Sequence, residues 1–100
     1  MESGVSEETE AQEKSNDILL KALQLKSLED IPKIREDVAK RVIVILRVTP
    51  LAQKNIEELK GAVEQLYEFS TSIGGDMARL GEERIVITPP GVRIWRGALT

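Results

Sequence analysis

Three carboxylates in the C-terminal half are the first residues to test for chemistry. Asp76 follows two glycines, and Glu82 and Glu83 are adjacent in a polar turn. Such a group could act as general acid and base or hold a hard cation. We favour a simpler interpretation, in which the two glutamates are solvated turn residues and Asp76 accepts hydrogen bonds from backbone N–H groups. We therefore predict no metal site and no catalytic carboxylate pair.

The hydroxyls of Ser70, Thr71 and Ser72 are candidate nucleophiles at the end of a predicted helix. The chain contains no His and no Cys. This composition removes the commonest general base that could activate a hydroxyl, together with thiolates, disulfides and Cys-ligated zinc sites. The sequence therefore predicts a protein that is not an enzyme and needs no cofactor.

Gly74-Gly75-Asp76 is the remaining motif that could bind a small ligand through backbone N–H groups. It lacks the further glycines and the Lys of a phosphate loop, and it follows a helix instead of preceding one. We interpret Gly74 and Gly75 first as a helix C-cap. A small-molecule-responsive regulatory or oligomerisation domain with a ligand at this motif stays as the alternative function.

Charge and composition exclude several classes of protein. The chain has 14 Lys and Arg against 17 Asp and Glu, a net charge of −3, and only three aromatic residues. A nucleic-acid-binding surface is disfavoured. Residues 1–14 hold five Glu and one Lys, so we expect a disordered acidic tail over 1–16, one domain over 17–97 and a C-terminal tail over 98–100. Without a signal peptide or a long apolar run, the chain is expected in the cytoplasm.

Hydrophobic patterning predicts a small α/β domain. Ile18–Leu25 is ambiguous and leans helical, an amphipathic helix ends near Lys40, and Val42–Leu46 is a β-branched run typical of a central strand. One long helix is predicted over 51–72. A hairpin over 77–88 and a short strand over 92–95 follow.

These elements predict a mixed sheet of about five strands with two helices packed on one face. The other face would then be bare and apolar, and we expect dimerisation through this face or through the exposed side of the long helix. The residues expected on that face are Val42, Val44, Ile85, Ile87, Val92 and Ile94.

Two further features point to binding. Trp95, the only Trp, has Arg93 and Arg96 beside it, and it suits an interface as well as a core or rim position. Arg47, Arg79, Arg84 and Arg93 form either a basic patch for an acidic peptide or a set of scattered solvated charges.

The stretch from Gly74 to Gly97 carries a specific combination of motifs. Gly-Gly-Asp is joined to a Leu-Gly hairpin, and Thr-Pro follows the next strand. Together with Val44–Ala52 and Ser27–Ile31, this stretch resembles the SepF family of cell-division proteins in its archaeal branch. The resemblance covers about 18–97.

The resemblance implies a non-enzymatic adaptor that binds the C-terminal peptide of the tubulin-like GTPase FtsZ and helps tether or align FtsZ filaments at the membrane. It implies a dimer that can polymerise, located at the division site, with Ile18–Leu25 as a strand instead of a helix. The residues expected to bind the peptide are Leu51, Ala52, Arg79, Arg84 and Ile85. The residues expected at the dimer interface or in a fold-critical loop are Gly74, Gly75, Ile87 and Trp95.

The N-terminus departs from the family pattern. Members resembling this chain begin with an amphipathic helix of large apolar and basic residues, which inserts into the bilayer surface. Residues 1–14 are acidic and would be repelled by anionic lipid. Membrane association therefore follows from the resemblance alone and is not supported by this N-terminus.

Overall fold

The computed structural model describes residues 17–97. Our expectations for the tails at 1–16 and 98–100 lie outside the described residues. The chain forms an α+β domain with a mixed four-stranded sheet in the order β1-β2-β4-β3. The strands are β1 (Leu19–Gln24), β2 (Val42–Arg47), β3 (Asp76–Leu80) and β4 (Arg84–Thr88), and the α-helices are α1 (Ile31–Ala39), α2 (Thr49–Lys54) and α3 (Ile56–Ser72).

The N-terminal half is a parallel crossover. β1 pairs in parallel with β2 from Leu19–Val42 to Gln24–Arg47. Its local Leu-rich sequence leans helical, but the strand implied by the family resemblance is the one observed. A short 3₁₀ turn at Leu28–Asp30 precedes α1, where the Ser27 side chain and the Asp30 carboxylate form a capping box. Pro32 then lies in the first turn of α1, where its missing N–H costs nothing.

The predicted long helix is two helices. Asn55 is extended, with φ −163° and ψ 100°, and separates α2 from α3. Its side-chain oxygen accepts hydrogen bonds from the N–H groups of Glu57 and Glu58. A good N-cap residue therefore restarts the helix without any Gly or Pro to mark the break.

The C-terminal half is the predicted hairpin. β3 and β4 pair antiparallel around a turn at residues 81–83, and β4 also pairs antiparallel with β2. The predicted fifth strand at 92–95 is wrong, because residues 92–97 form no strand. The Val92 carbonyl accepts a hydrogen bond from the Thr88 hydroxyl and the Ile94 N–H donates to the Asp76 carboxylate, so side chains hold this segment instead of a sheet ladder.

All three helices cover one face of the sheet. Strand side chains alternate between faces, and the register places Val42, Val44, Leu46, Ile85 and Ile87 on the helix side, where all are buried. Our assignment of Val42, Val44, Ile85 and Ile87 to the bare face is therefore wrong. The core is completed by Leu25, Ile31, Ile34, Val38, Val48, Leu51, Ala62 and Leu66.

The opposite side of the sheet, which we call the open face, is also apolar. β2 contributes Ile43 and Ile45, and β4 contributes Val86, all three half-buried. Leu20 and Leu80 on the two edge strands are 66% and 50% exposed. Among residues 17–97, no helix covers this apolar face, as expected, but the side chains on it are the alternate set to the one we expected.

Candidate functional site

A groove of about 870 Å³ opens between the α2–α3 corner and the β3–β4 hairpin. Its lining is mainly apolar, which suits hydrophobic anchor residues of a ligand. The apolar lining residues are Val48, Ala52, Ile56, Leu59, Val63, Met77, Ala78 and Ile85, with Tyr67 at the α3 side. Residues on both sides of the break at Asn55, in α2 and in α3, line the groove.

Four of the five predicted peptide-binding residues meet in this groove. Ala52, Arg79, Arg84 and Ile85 all line it. Leu51 does not, because it is fully buried in the core. Successive helical residues point about 100° apart, so Leu51 faces the sheet and Ala52 faces the groove.

The groove carries charges of both signs. Lys60, Arg79 and Arg84 lie among its lining residues with Glu64 and Glu82. Within residues 17–97, Lys60 pairs with Glu57 at 3.8 Å, whereas the side chains of Arg79 and Arg84 form no ion pair. These two guanidinium groups are therefore available to carboxylates of a ligand.

The remaining members of the predicted basic patch are already engaged. The Arg47 Nε lies 3.9 Å from Glu83, and the Arg93 Nε lies 3.9 Å from Asp76. The four arginines therefore do not act as one set. Only Arg79 and Arg84 belong to the groove.

Asp76 and Arg96 form a second feature, which we call the Asp76–Arg96 clasp. Arg96 donates from Nη1 to Asp76 Oδ2 at 3.0 Å and from Nη2 to Oδ1 at 3.2 Å. Oδ2 also accepts from the Ile94 N–H at 2.8 Å, and Oδ1 accepts from the Met77 N–H at 2.9 Å. The expected role of Asp76 as an acceptor for backbone N–H groups agrees with this geometry.

The clasp is strongly charge-assisted. The hydrogen bond from Arg96, followed by that from the Ile94 N–H, holds the pKa of the Asp76 carboxyl far below its usual range. The same pairing raises the pKa of Arg96. The C-terminal segment is therefore tied to the start of β3 at any ordinary pH.

The Gly74-Gly75 turn has a structural role. Gly74 has φ +81°, and a Cβ at Gly75 would collide with the backbone carbonyl oxygen of Thr88. The N–H groups of Gly74 and Gly75 donate to carbonyls of α3, and that of Asp76 donates to the Thr88 hydroxyl. All three donors are used within the protein, which argues against the alternative ligand site at this turn.

The other two predicted interface residues have opposite environments. Ile87 is fully buried beneath the helices, so it supports the fold and has no surface to offer a partner. Trp95 is 83% exposed. It follows Ile94 in the segment that the clasp holds.

Sequence reasoning missed several residues of these features. Asn55, Val63 and Tyr67 shape the groove, and Thr88 orders the C-terminal segment. An Asn with Glu residues two and three positions later is an N-cap signal that could have located the helix break. Nothing local in the sequence pairs Arg96 with Asp76, which is 20 residues away.

Within residues 17–97, no helix is long and apolar enough to cross a bilayer. No group of three or more carboxylates in the same range is placed to hold a metal ion.

The fold and the groove define a small α+β domain whose exposed features suit binding of another chain. A family model described as "Cell division protein SepF" matches residues 20–94. The chain belongs to the SepF family of cell-division proteins. A search of the curated proteins gave no match.

Solved structures give the same architecture. A SepF-like protein from Archaeoglobus fulgidus has a TM-score of 0.74 at 19% identity, covering 83% of this chain and 99% of that one. A SepF-like protein from Pyrococcus furiosus has a TM-score of 0.73 at 27% identity, covering 80% and 96%. The cell division protein SepF from Methanobrevibacter smithii, solved in complex with FtsZ-CTD, has a TM-score of 0.68 at 23% identity, covering 77% and 96%.

Proposed function

We propose that this chain is a division adaptor that binds the C-terminal peptide of FtsZ in the groove between α3 and the hairpin. The observation that carries the proposal is the groove itself, with an apolar floor and two unpaired arginines. A SepF relative of the same fold was solved with FtsZ-CTD bound. Apolar anchors would fill the floor, while Arg79 and Arg84 would meet carboxylates of the peptide.

We further propose that the protein is a homodimer joined through the open face. Ile43, Ile45 and Val86 form its centre, and Leu20 and Leu80 extend it to both edges. Covering such a face removes apolar area from water at roughly 25 cal/mol per Å². The groove lies on the helix side of the sheet, so dimerisation would leave it accessible.

A dimer with two grooves would cross-link two FtsZ tails. Because of this cross-linking, we propose that the protein helps align FtsZ filaments at the division site, near the inner face of the membrane. Polymerisation of the protein would cross-link more FtsZ tails. Membrane tethering would need an anchor other than the acidic residues 1–14.

Calorimetric titration with a synthetic peptide of the FtsZ C-terminus tests the proposal. Ala52→Glu adds bulk and negative charge inside the groove, and we expect it to weaken binding at least tenfold. Gln53→Glu is the matched control, because Gln53 is the exposed neighbour outside the groove. Equal affinity of the two variants would place the peptide elsewhere.

A separate experiment tests the contribution of the Arg84 charge to peptide binding. Arg84→Glu should weaken binding, and the difference from wild type should shrink as salt screens the charges. Lys26→Glu makes the same change in net charge at the far side of the sheet, beside β1. If both variants weaken binding equally, the effect is one of overall charge and not of the groove.

A further inference from the structure

Backbone groups along β3 alternate between the two sides of the strand. The Asp76 N–H donates to the Thr88 hydroxyl at 2.8 Å, and the Asp76 carbonyl oxygen lies 3.3 Å from the same hydroxyl, so both groups face β4. The Met77 N–H donates to the Asp76 carboxylate, and the Met77 carbonyl accepts from Arg96 Nη2 at 2.8 Å. Met77 therefore directs its backbone groups away from β4, toward the free edge of the sheet.

The same alternation determines which way the backbone N–H and C=O of Arg79 point. In an antiparallel pair, the residues whose backbone groups face the partner strand alternate with those whose groups face away. Arg79 lies two residues after Met77 and shares its orientation. The N–H and C=O of Arg79 consequently point out of the sheet at the β3 edge, and within residues 17–97 no other chain segment pairs with that edge.

The Asp76–Arg96 clasp binds the outward backbone groups of Met77 but not those of Arg79. At Met77 it supplies a carboxylate acceptor for the N–H and a guanidinium donor for the carbonyl, so the edge is closed there. At Arg79 it supplies neither. An unpaired pair of backbone groups on an edge strand is a template for an added strand.

That open position lies on the groove. Arg79 lines the groove together with its β3 neighbours Met77 and Ala78, and α3 contributes Val63 and Tyr67 on the other side. A peptide lying in the groove would run beside the β3 edge. The Arg79 side chain is there to attract acidic residues.

We propose that the FtsZ C-terminal peptide binds as an added β-strand on the free edge of β3, pairing its backbone with the N–H and C=O of Arg79, and that the Asp76–Arg96 clasp ends this pairing at Met77. The inference rests on the proposed function and specifies its binding mode. It predicts one donor and one acceptor bond between main chains, with the peptide side chains alternating between groove and solvent.

Backbone-methylated peptides test the pairing directly. In calorimetric titrations of the full chain, each amide of the FtsZ C-terminal peptide is N-methylated in turn. One amide should be sensitive, with affinity falling roughly 2- to 10-fold for the lost hydrogen bond, while the amides on either side of it tolerate the methyl group. Unmodified peptide that binds while no single methylation weakens it would overturn the strand pairing and leave the groove proposal standing. Unmodified peptide that fails to bind would overturn both.

A proline at residue 79 tests the same bond from the protein side. Arg79→Pro removes both the side chain and the edge N–H, whereas Arg79→Ala removes the side chain alone. Proline is tolerated on edge strands where the N–H faces outward. We expect Arg79→Pro to bind more weakly than Arg79→Ala by a further 2- to 10-fold, and equal affinities would contradict the pairing.

Hydrogen exchange on the wild-type chain avoids any folding defect of the proline variant. The Arg79 amide should exchange at least tenfold more slowly when the peptide is saturating. The Ala78 amide, which faces β4, is the internal control and should change little. Unchanged exchange at Arg79 with bound peptide would overturn the proposal.

Discussion

The two faces of the sheet carry similar apolar side chains but have different surroundings. On the helix side, Val44, Leu46 and Ile87 are fully buried by α1 and α3. On the open face, Ile43, Ile45 and Val86 are only half-buried, although each is a sequence neighbour of a core residue. Apolar strand residues therefore have two roles in this domain. Those on the helix side stabilise the fold of one chain, and those on the open face are available to join chains.

The largest effect should come from the helix side. Leu46→Ala removes a fully buried side chain, and we expect the free energy of unfolding to fall by about 2–5 kcal/mol. Ile45→Ala, one residue earlier on the other face, should cost the isolated chain much less. Urea denaturation of both variants at low protein concentration measures the difference. Similar losses would mean that the open face is already buried in the folded protein.

The next prediction concerns association. Ile43→Lys places a charge at the centre of the open face and should convert the proposed dimer to a monomer, with the dissociation constant raised at least 100-fold. Lys60→Glu on α3 is a control on the covered side of the sheet. Light scattering combined with size-exclusion chromatography reports the mass. A monomeric wild type at micromolar concentration would contradict the proposed dimer.

Loss of the clasp should have a smaller effect on stability. Asp76→Asn removes the carboxylate that holds Arg96 and the Ile94 N–H, and we expect the melting temperature to fall by about 4–8 °C at neutral pH. The folded pKa of Asp76 is lowered, so its stabilising effect is present above the unfolded pKa near 4 and is lost as pH falls toward the folded value. The difference between wild type and variant should therefore narrow below about pH 4. A constant difference from pH 7 to pH 2 would show that the carboxylate charge is not the cause.

The smallest effect is expected from the acidic N-terminus. Residues 1–14 contain five Glu and few apolar residues, so we expect them to bury little apolar surface on folding. Their deletion should change the melting temperature by less than about 2 °C. A larger loss in a thermal scan would indicate that this segment contacts the domain.

The sequence predicted the hairpin and the first helix because their signals are local. Gly81 marks the turn, and Pro32 marks the start of α1. It also predicted one apolar face without helices. It could not assign residues to that face, because β2 is apolar at every position from Val42 to Leu46, and alternation carries no information in such a run.

The groove was predicted in part for a similar reason. Arg79 and Ile85 are cross-strand partners, so any correct hairpin brings them together. Arg84 is the neighbouring residue on β4 and also lines the groove. Leu51 was expected beside Ala52 but is buried in the core, because neighbouring helical residues point in different directions. The clasp could not be predicted from the sequence, because it depends on a tertiary contact between Asp76 and Arg96. The hydrogen bond from the Ile94 N–H to Asp76 holds residues 92–95 in place of the predicted fifth strand.

The strand order has a consequence for synthesis of the chain. β4 is the last strand in the sequence, yet it lies in the interior of the sheet between β2 and β3. While the ribosome is making the first 80 residues, β2 lacks a neighbour on one side and β3 has none. The sheet can therefore be completed only after Thr88 has left the exit tunnel, so the first 80 residues cannot form it on their own.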